Sequence, residues 1–172
     1  MIVRLKSAAA LARRSARSSQ RPVSLSDRSV RSDPRWPEIT ATLATLRDRR
    51  RHAIRIVDAD CGRGALLIAV ARYARTLGFT AIEGRGIDGS PALIGAARTA
   101  AARLHDPAIG LSFECADLLT ALSAEAELPA DIVLWNGSVH AGHRSDIAAA
   151  LAGSGDRVIG DPSTSSSDRH AA

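Results

Sequence analysis

From Ala53 onward, short apolar runs alternate with stretches whose apolar residues recur at helical spacing. Ile54-Arg55-Ile56-Val57 reads as a strand that ends in Asp58-Ala59-Asp60-Cys61-Gly62-Arg63-Gly64. A helix is predicted over 65–77, with Leu66, Val70, Tyr73 and Leu77 on one face and Gly78 placed to stop it. A second strand runs to Ile87-Asp88, and Ser90-Pro91 caps a helix whose Leu93, Ala97, Ala101 and Leu104 line up. The third strand is Ile109 to Cys115, the fourth Asp131 to Trp135, and a short fifth covers Arg157-Val158-Ile159. A helix over 143–151 joins the last two. Upstream, Asp33-Pro34 reads as an N-cap followed by proline at the first helical position, ahead of Trp36, Ile39, Leu43 and Leu46. Strands and helices in this order predict an α/β fold, a parallel sheet with helices on both faces.

Composition narrows this picture. A chain of 172 residues suits one domain, and with aromatics at 3% its core must be built from Ala, Leu, Ile and Val. The net charge of +5 is unevenly distributed: residues 1–52 hold 13 basic and 4 acidic groups, residues 53–172 hold 10 and 14. The basic character therefore belongs to the N-terminal part, the predicted domain is mildly acidic, and nucleic acid is not expected as its partner. Three units follow: a basic Arg/Ser-rich arm over 1–32 expected to be disordered, a domain over 33–162, and a polar disordered tail over 163–172. The arm has three readings: a disordered extension, an organellar transit peptide, or a nucleic-acid contact. Arg47, Arg49, Arg50 and Arg51 read as charges complementing the end of the first helix. Cys61 and Cys115 have neither a CxxC nor a Cys/His spacing, so neither a disulfide framework nor a metal site is expected. With no apolar run long enough to span a membrane, the expected setting is cytoplasmic.

In such a sheet, ligands bind beyond the carboxyl ends of the strands, so the residues there are informative. Three strands end in a carboxylate: Asp58, Asp88 and Asp117. Gly62 and Gly64 let the backbone approach a ligand at a helix N-terminus, or simply make a turn. Asp88 can accept hydrogen bonds from a ribose diol, or stand as a turn residue before Gly89. Asp117 can accept from an adenine amino group, or cap a helix starting at Leu118. The dinucleotide fingerprint G-x-G-x-x-G fails at Leu67, which disfavours a nicotinamide-dependent oxidoreductase.

Taken together, these residues resemble the class I (Rossmann-like) S-adenosylmethionine-dependent methyltransferases over roughly Ile54 to Trp135. Ile56 to Gly64 looks like the family's glycine-rich first motif, Gly86-Ile87-Asp88-Gly89-Ser90-Pro91 like its ribose-binding motif, and Phe113 to Asp117 like its adenine-contacting motif. Ala130 to Asn136 resembles its fourth strand. The resemblance implies a cofactor site made of Asp58, Asp60, Cys61, Gly62, Gly64, Asp88, Gly89, Ala116, Asp117, Leu118 and Trp135. Asp58 would support the methionine amino group, Asp88 the ribose hydroxyls, and Asp117 with the Leu118 N–H the adenine. The sequence departs from the pattern in two ways. Asp60 stands where the family has glycine, and the family's C-terminal strands are missing after Ile159.

The implied activity is transfer of the methyl group of S-adenosyl-L-methionine. Orientation does much of the work in such a displacement, so a fixed base is not required. Trp135, Asn136, His140 and His143 are the local candidates, of which His140 has the intrinsic pKa of a base and both histidines also read as loop surface. The fourth strand lacks an Asn-Pro-Pro-aromatic loop, which points to a small-molecule acceptor. The competing reading is a truncated or catalytically silent methyltransferase-like module that binds or scaffolds.

Overall fold

A computed structural model describes residues 29–137 and 144–160. Helix α1 (Trp36–Asp48) leads into β1 (Ala53–Ala59), α2 (Ala65–Thr76), β2 (Ala81–Asp88), α3 (Pro91–Ala101) and β3 (Ile109–Cys115). Then come α4 (Leu118–Glu125), β4 (Ile132–Trp135), α5 (Arg144–Ser154) and β5 (Val158–Gly160). Every pairing is parallel and the strand order is β3-β2-β1-β4-β5. The chain thus winds outward from β1 in one direction, returns, and continues from β4 in the other. The expected α/β architecture, a parallel sheet with helices on both faces, is observed, and among the described residues the sheet ends at β5.

The period of two along each strand sorts side chains onto the two faces. Ile54 and Ile56 of β1 and Ile132 and Leu134 of β4 pack beneath α1, α2 and α3, together with Leu67, Val70, Ile94 and Phe79. Val57, Ala59 and Val133 point the other way, against Leu122 of α4 and Ile147 and Leu151 of α5. On the first face, β2 presents glycines. A Cβ on Gly86 would lie 2.5 Å from Phe113 Cδ1 and 2.9 Å from Cys61 Sγ, and one on Gly84 would lie 2.5 Å from Leu111 Cδ2. Glycine there admits the large side chains of β3 and α2. Gly86→Ala is therefore expected to lower stability by about 1–3 kcal/mol in urea denaturation, and by less in a Phe113→Leu background. An unchanged midpoint would mean that Phe113 yields without cost.

On the opposite face, toward the β2–β3 edge, ion pairs replace apolar packing. The buried Glu125 carboxylate accepts from Arg55 at 2.5 Å and from Arg85. Arg55 also reaches Glu83 at 3.3 Å, and Arg85 reaches Glu114 at 2.5 Å. This explains the lack of apolar alternation on that side of β2.

The first helix starts later than its sequence suggests. Arg35, not Asp33, is the N-cap, and Pro37 rather than Pro34 occupies the first turn. The Asp33 carboxylate is taken by the Arg35 backbone N–H at 2.9 Å and by its guanidinium at 2.8 Å, so it closes a tight turn before the helix. In α3 the buried residues are Ile94 and Ala97: Ala97 belongs to the predicted stripe, and Ile94 takes the place of Leu93. The arginines after α1 do more than complement a dipole. Arg47 donates to the Leu77 carbonyl at 3.0 Å and lies over the Phe79 ring, while Arg51 pairs with Asp131 at 2.6 Å. Gly78, with φ of 92°, follows α2 as expected.

Candidate functional site

Strand order reverses between β1 and β4, and the crevice beyond their carboxyl ends is where ligands settle in such sheets. The turn leaving β1 takes three left-handed residues in alternation, Asp60 (φ 64°), Gly62 (φ 55°) and Gly64 (φ 71°). Asp60 thus adopts the conformation that glycine favours, which short polar side chains tolerate best among the others. Hydrogen bonds fasten the turn on three sides. The Cys61 N–H donates to the Ile87 carbonyl at 2.9 Å, the Gly64 N–H to the Cys61 carbonyl at 2.9 Å, and Asn136 Nδ2 to the Asp60 carbonyl at 3.4 Å.

The two glycines differ in purpose. A Cβ on Gly62 would meet nothing within 4 Å, whereas one on Gly64 would lie 2.5 Å from Phe113 Cε1. Gly62 faces open space, and Gly64 seats the start of α2 on the core. Gly89, after β2, is also open. Asp88 ties these segments together. Its Oδ2 accepts from the Gly62 N–H at 2.9 Å and its Oδ1 from the Ser90 N–H at 2.7 Å, while the carboxylate itself is buried. Each oxygen retains capacity for a further donor. Ser90 caps α3 through the Leu93 N–H, as its sequence suggested.

Asp58 lies on the same face of the sheet as Asp88 and is 2% exposed. Burial pushes its carboxyl up to about 7, opposed by the Arg35 charge, reinforced by Asp33 and Asp60, and moderated by the Leu67 backbone N–H in the first turn of α2. Arg35 is the residue the sequence did not announce. It is buried before α1 and acts on Asp58 across a long stretch of chain, which no local spacing signals. Burial, then Asp58 and Asp88, push the Cys61 thiol up to about 12, so Cys61 is a packing residue and not a nucleophile at neutral pH.

Asp117 is exposed and caps α4, its Oδ1 accepting from the Thr120 N–H and hydroxyl at 2.9 Å each. This is the helix-capping role its sequence also allowed. Ala116 lies beside Asp88, donating its N–H to the Asp88 carbonyl at 3.2 Å, and Leu118 opens α4. Trp135 ends β4 in register with Ala59, and its buried Nε1 makes no hydrogen bond among the described residues. The structure therefore gathers Asp58, Asp60, Gly62, Asp88, Gly89, Ala116 and Asn136 around the ends of β1, β2, β3 and β4. His140 and His143 lie outside the described residues. Among the described residues no group of His, Cys, Asp or Glu is arranged to hold a metal, and no helix is long and apolar enough to cross a membrane.

No protein-family model and no curated protein matches the chain. Solved structures do. Monomeric WbdD superposes with a TM-score of 0.57 at 20% identity, over 72% of this chain and 29% of that one. The magnesium protoporphyrin IX methyltransferase ChlM from Synechocystis PCC 6803, with bound SAH, gives 0.52 at 21% identity, over 80% and 59%. The plantazolicin methyltransferase BpumL in complex with SAH gives 0.52 at 19%, over 78% and 52%. The chain spans less than two thirds of each of these proteins. Strand order, the glycine turn after β1 and these superpositions agree: the chain has the Rossmann-like α/β fold adopted by the methyltransferases ChlM and BpumL.

Proposed function

We propose that the strand-end crevice binds S-adenosyl-L-methionine and that the protein is a methyltransferase acting on a small molecule. The observation that carries this reading is the Asp88 carboxylate, buried at the end of β2 and clasped by the Gly62 and Ser90 N–H groups with acceptor capacity left on both oxygens. A ribose diol needs two acceptors held in fixed geometry, and this carboxylate offers them. The remaining residues fit the rest of the cofactor. Gly62 and Gly89 leave open space for its approach, while Gly64 and Cys61 shape the turn from within the core. In this reading Asp58 and Asp60 would meet the methionine amino group, the Asp117 carboxylate and Leu118 N–H the adenine, Ala116 its edge, and Trp135 would form part of the crevice wall. Two of the solved structures with this fold, ChlM and BpumL, carry SAH, which supports the choice of cofactor.

When bound, the cofactor supplies a methyl carbon already activated by sulfonium. The chain's own part is to hold the acceptor in line with it, for which proximity and orientation are sufficient. Asn136, tethered to the Asp60 carbonyl, is positioned to orient an acceptor, and His140 is the candidate base for a hydroxyl substrate. Calorimetric titration with S-adenosylhomocysteine beside an NAD control tests the reading. Binding of the first alone is expected. No binding by the folded protein, or tight binding of NAD, would overturn it.

A further inference from the structure

On the outer surface, away from the sheet, α2 and α3 border an open groove of about 500 Å³. Its floor is apolar: Ala65, Ile68 and Ala69 along α2 face Ala96, Ala100 and Leu104 along and after α3. Arg63, Arg72 and Arg103 stand around it. A second depression of about 310 Å³ shares Ala69 and Arg72 with the first and adds Arg31, Trp36 and Tyr73. The two form one continuous face. Among the described residues, no carboxylate lines either part.

Several other arginines are engaged within the fold. Arg55 and Arg85 share Glu125, and Arg98 donates twice to the Phe113 carbonyl. Among the described residues, the side chains of Arg31, Arg63, Arg72 and Arg103 have no hydrogen-bond or ion-pair partner. Three of the four, Arg63, Arg72 and Arg103, lie in residues 53–172, which carry 14 acidic groups against 10 basic ones, so an unpaired basic cluster is not what the average composition would scatter there. Like charges ringing an exposed apolar floor pay both self-repulsion and hydration of the groove, and one kind of occupant relieves both.

We propose that this face docks an acidic amphipathic helix of a partner protein, its apolar stripe in the α2–α3 groove and its Asp and Glu side chains on the arginines. The shape suits a helix, because the space between two neighbouring helices receives a third by ridge-into-groove packing. Arg, Trp and Tyr together are also the residue types that anchor protein interfaces. In charge, the chain's own residues 1–28 are a poor match to this face, with seven Arg and Lys against a single Asp. Nucleic acid suits the face less well. Trp36 and Tyr73 are half-buried against each other, with ring centroids 5.6 Å apart at 59°, rather than offering free faces for base stacking.

The test is fluorescence anisotropy of the full chain with a labelled amphipathic helical peptide of Leu, Ala and Glu, beside the same peptide with Lys for Glu. The acidic peptide is expected to bind, to weaken about tenfold in Arg72→Glu/Arg103→Glu, and to weaken with salt, while the Lys peptide does not bind. Arg72→Gln/Arg103→Gln, checked by its thermal melt, gives the same ordering where charge reversal harms folding. The proposal is overturned if the acidic peptide fails to bind the parent chain or binds the variants equally well. It is equally overturned if single-stranded RNA displaces the peptide and depends on the same arginines, or if the face proves to hold a second copy by sedimentation. Neither variant touches the strand-end crevice, so failure here leaves the S-adenosylhomocysteine titration unaffected.

Discussion

Asp88→Ala is expected to weaken S-adenosylhomocysteine binding by about 100-fold or more in calorimetric titration. The carboxylate has two tasks, and the substitution removes both. It would take away the proposed acceptors of the ribose diol, and hydrogen bonds to a charged group contribute roughly 1.5–3 kcal/mol each, with every 1.4 kcal/mol worth a factor of ten. It would also release the Gly62 and Ser90 N–H groups, now held at 2.9 and 2.7 Å. The turn after β1 would then lose its tie to β2, at an additional stability cost of about 1–3 kcal/mol from the unpaired donors. Asp88→Asn separates the two tasks. Its single carbonyl oxygen can keep one backbone donor or serve one hydroxyl, but cannot reproduce the pattern on both oxygens. An intermediate affinity is expected, with part of the stability loss of Asp88→Ala, because one of the two backbone donors then faces the amide NH2. A folded Asp88→Ala protein that binds S-adenosylhomocysteine like the parent would remove the foundation of the proposed site.

What the sequence disclosed and what it withheld divide along the range of the interactions. The β-strands, α2 and α3 were legible because each is set by local features: period-two apolar runs, Ser90-Pro91 at a helix start, Gly78 at a helix end. The left-handed turn at Asp60, Gly62 and Gly64 was legible for the same reason. Asp33-Pro34 misled because the same dipeptide that caps a helix can close a turn, and the Arg35 guanidinium, two residues on, captured the carboxylate first. The Glu125 pairs with Arg55 and Arg85 join residues 70 and 40 positions apart, which no window along the chain can reveal. The clasp of Asp88 on Gly62 has the same character. Its aspartate was picked out for a ligand, and its role in holding the glycine turn became visible only when β1 and β2 were laid side by side.

Asp58 carries the second large expectation, a dependence on pH in both stability and binding. Its folded carboxyl titrates near 7 against an ordinary value of 3.8, because burial disfavours the charge more than Arg35 and the Leu67 N–H restore it. The native state therefore holds a proton that the unfolded chain has already lost. Stability is unaffected below about pH 4, falls as pH rises toward 7, and is lower by a constant amount above it, on the order of 4 kcal/mol. Asp58→Asn, which cannot ionise, is expected to flatten that slope in urea melts taken from pH 4 to 8, and Arg35→Leu to move its upper end to higher pH. Binding should run the other way. A cationic amino group placed against Asp58 stabilises the carboxylate, so S-adenosylhomocysteine would bind about tenfold more weakly at pH 6 than at pH 8 and release a proton on binding near neutrality. That release is read from the dependence of the binding enthalpy on the buffer's own ionisation enthalpy. In Asp58→Asn both the proton release and the pH profile are expected to vanish, with weaker binding throughout. A parent protein whose affinity is level from pH 6 to 8, with no proton exchanged, would mean that the amino group lies elsewhere. Stability and affinity thus respond to pH with opposite sign through one buried carboxyl, as expected of a charge that folding disfavours and a cationic ligand would compensate.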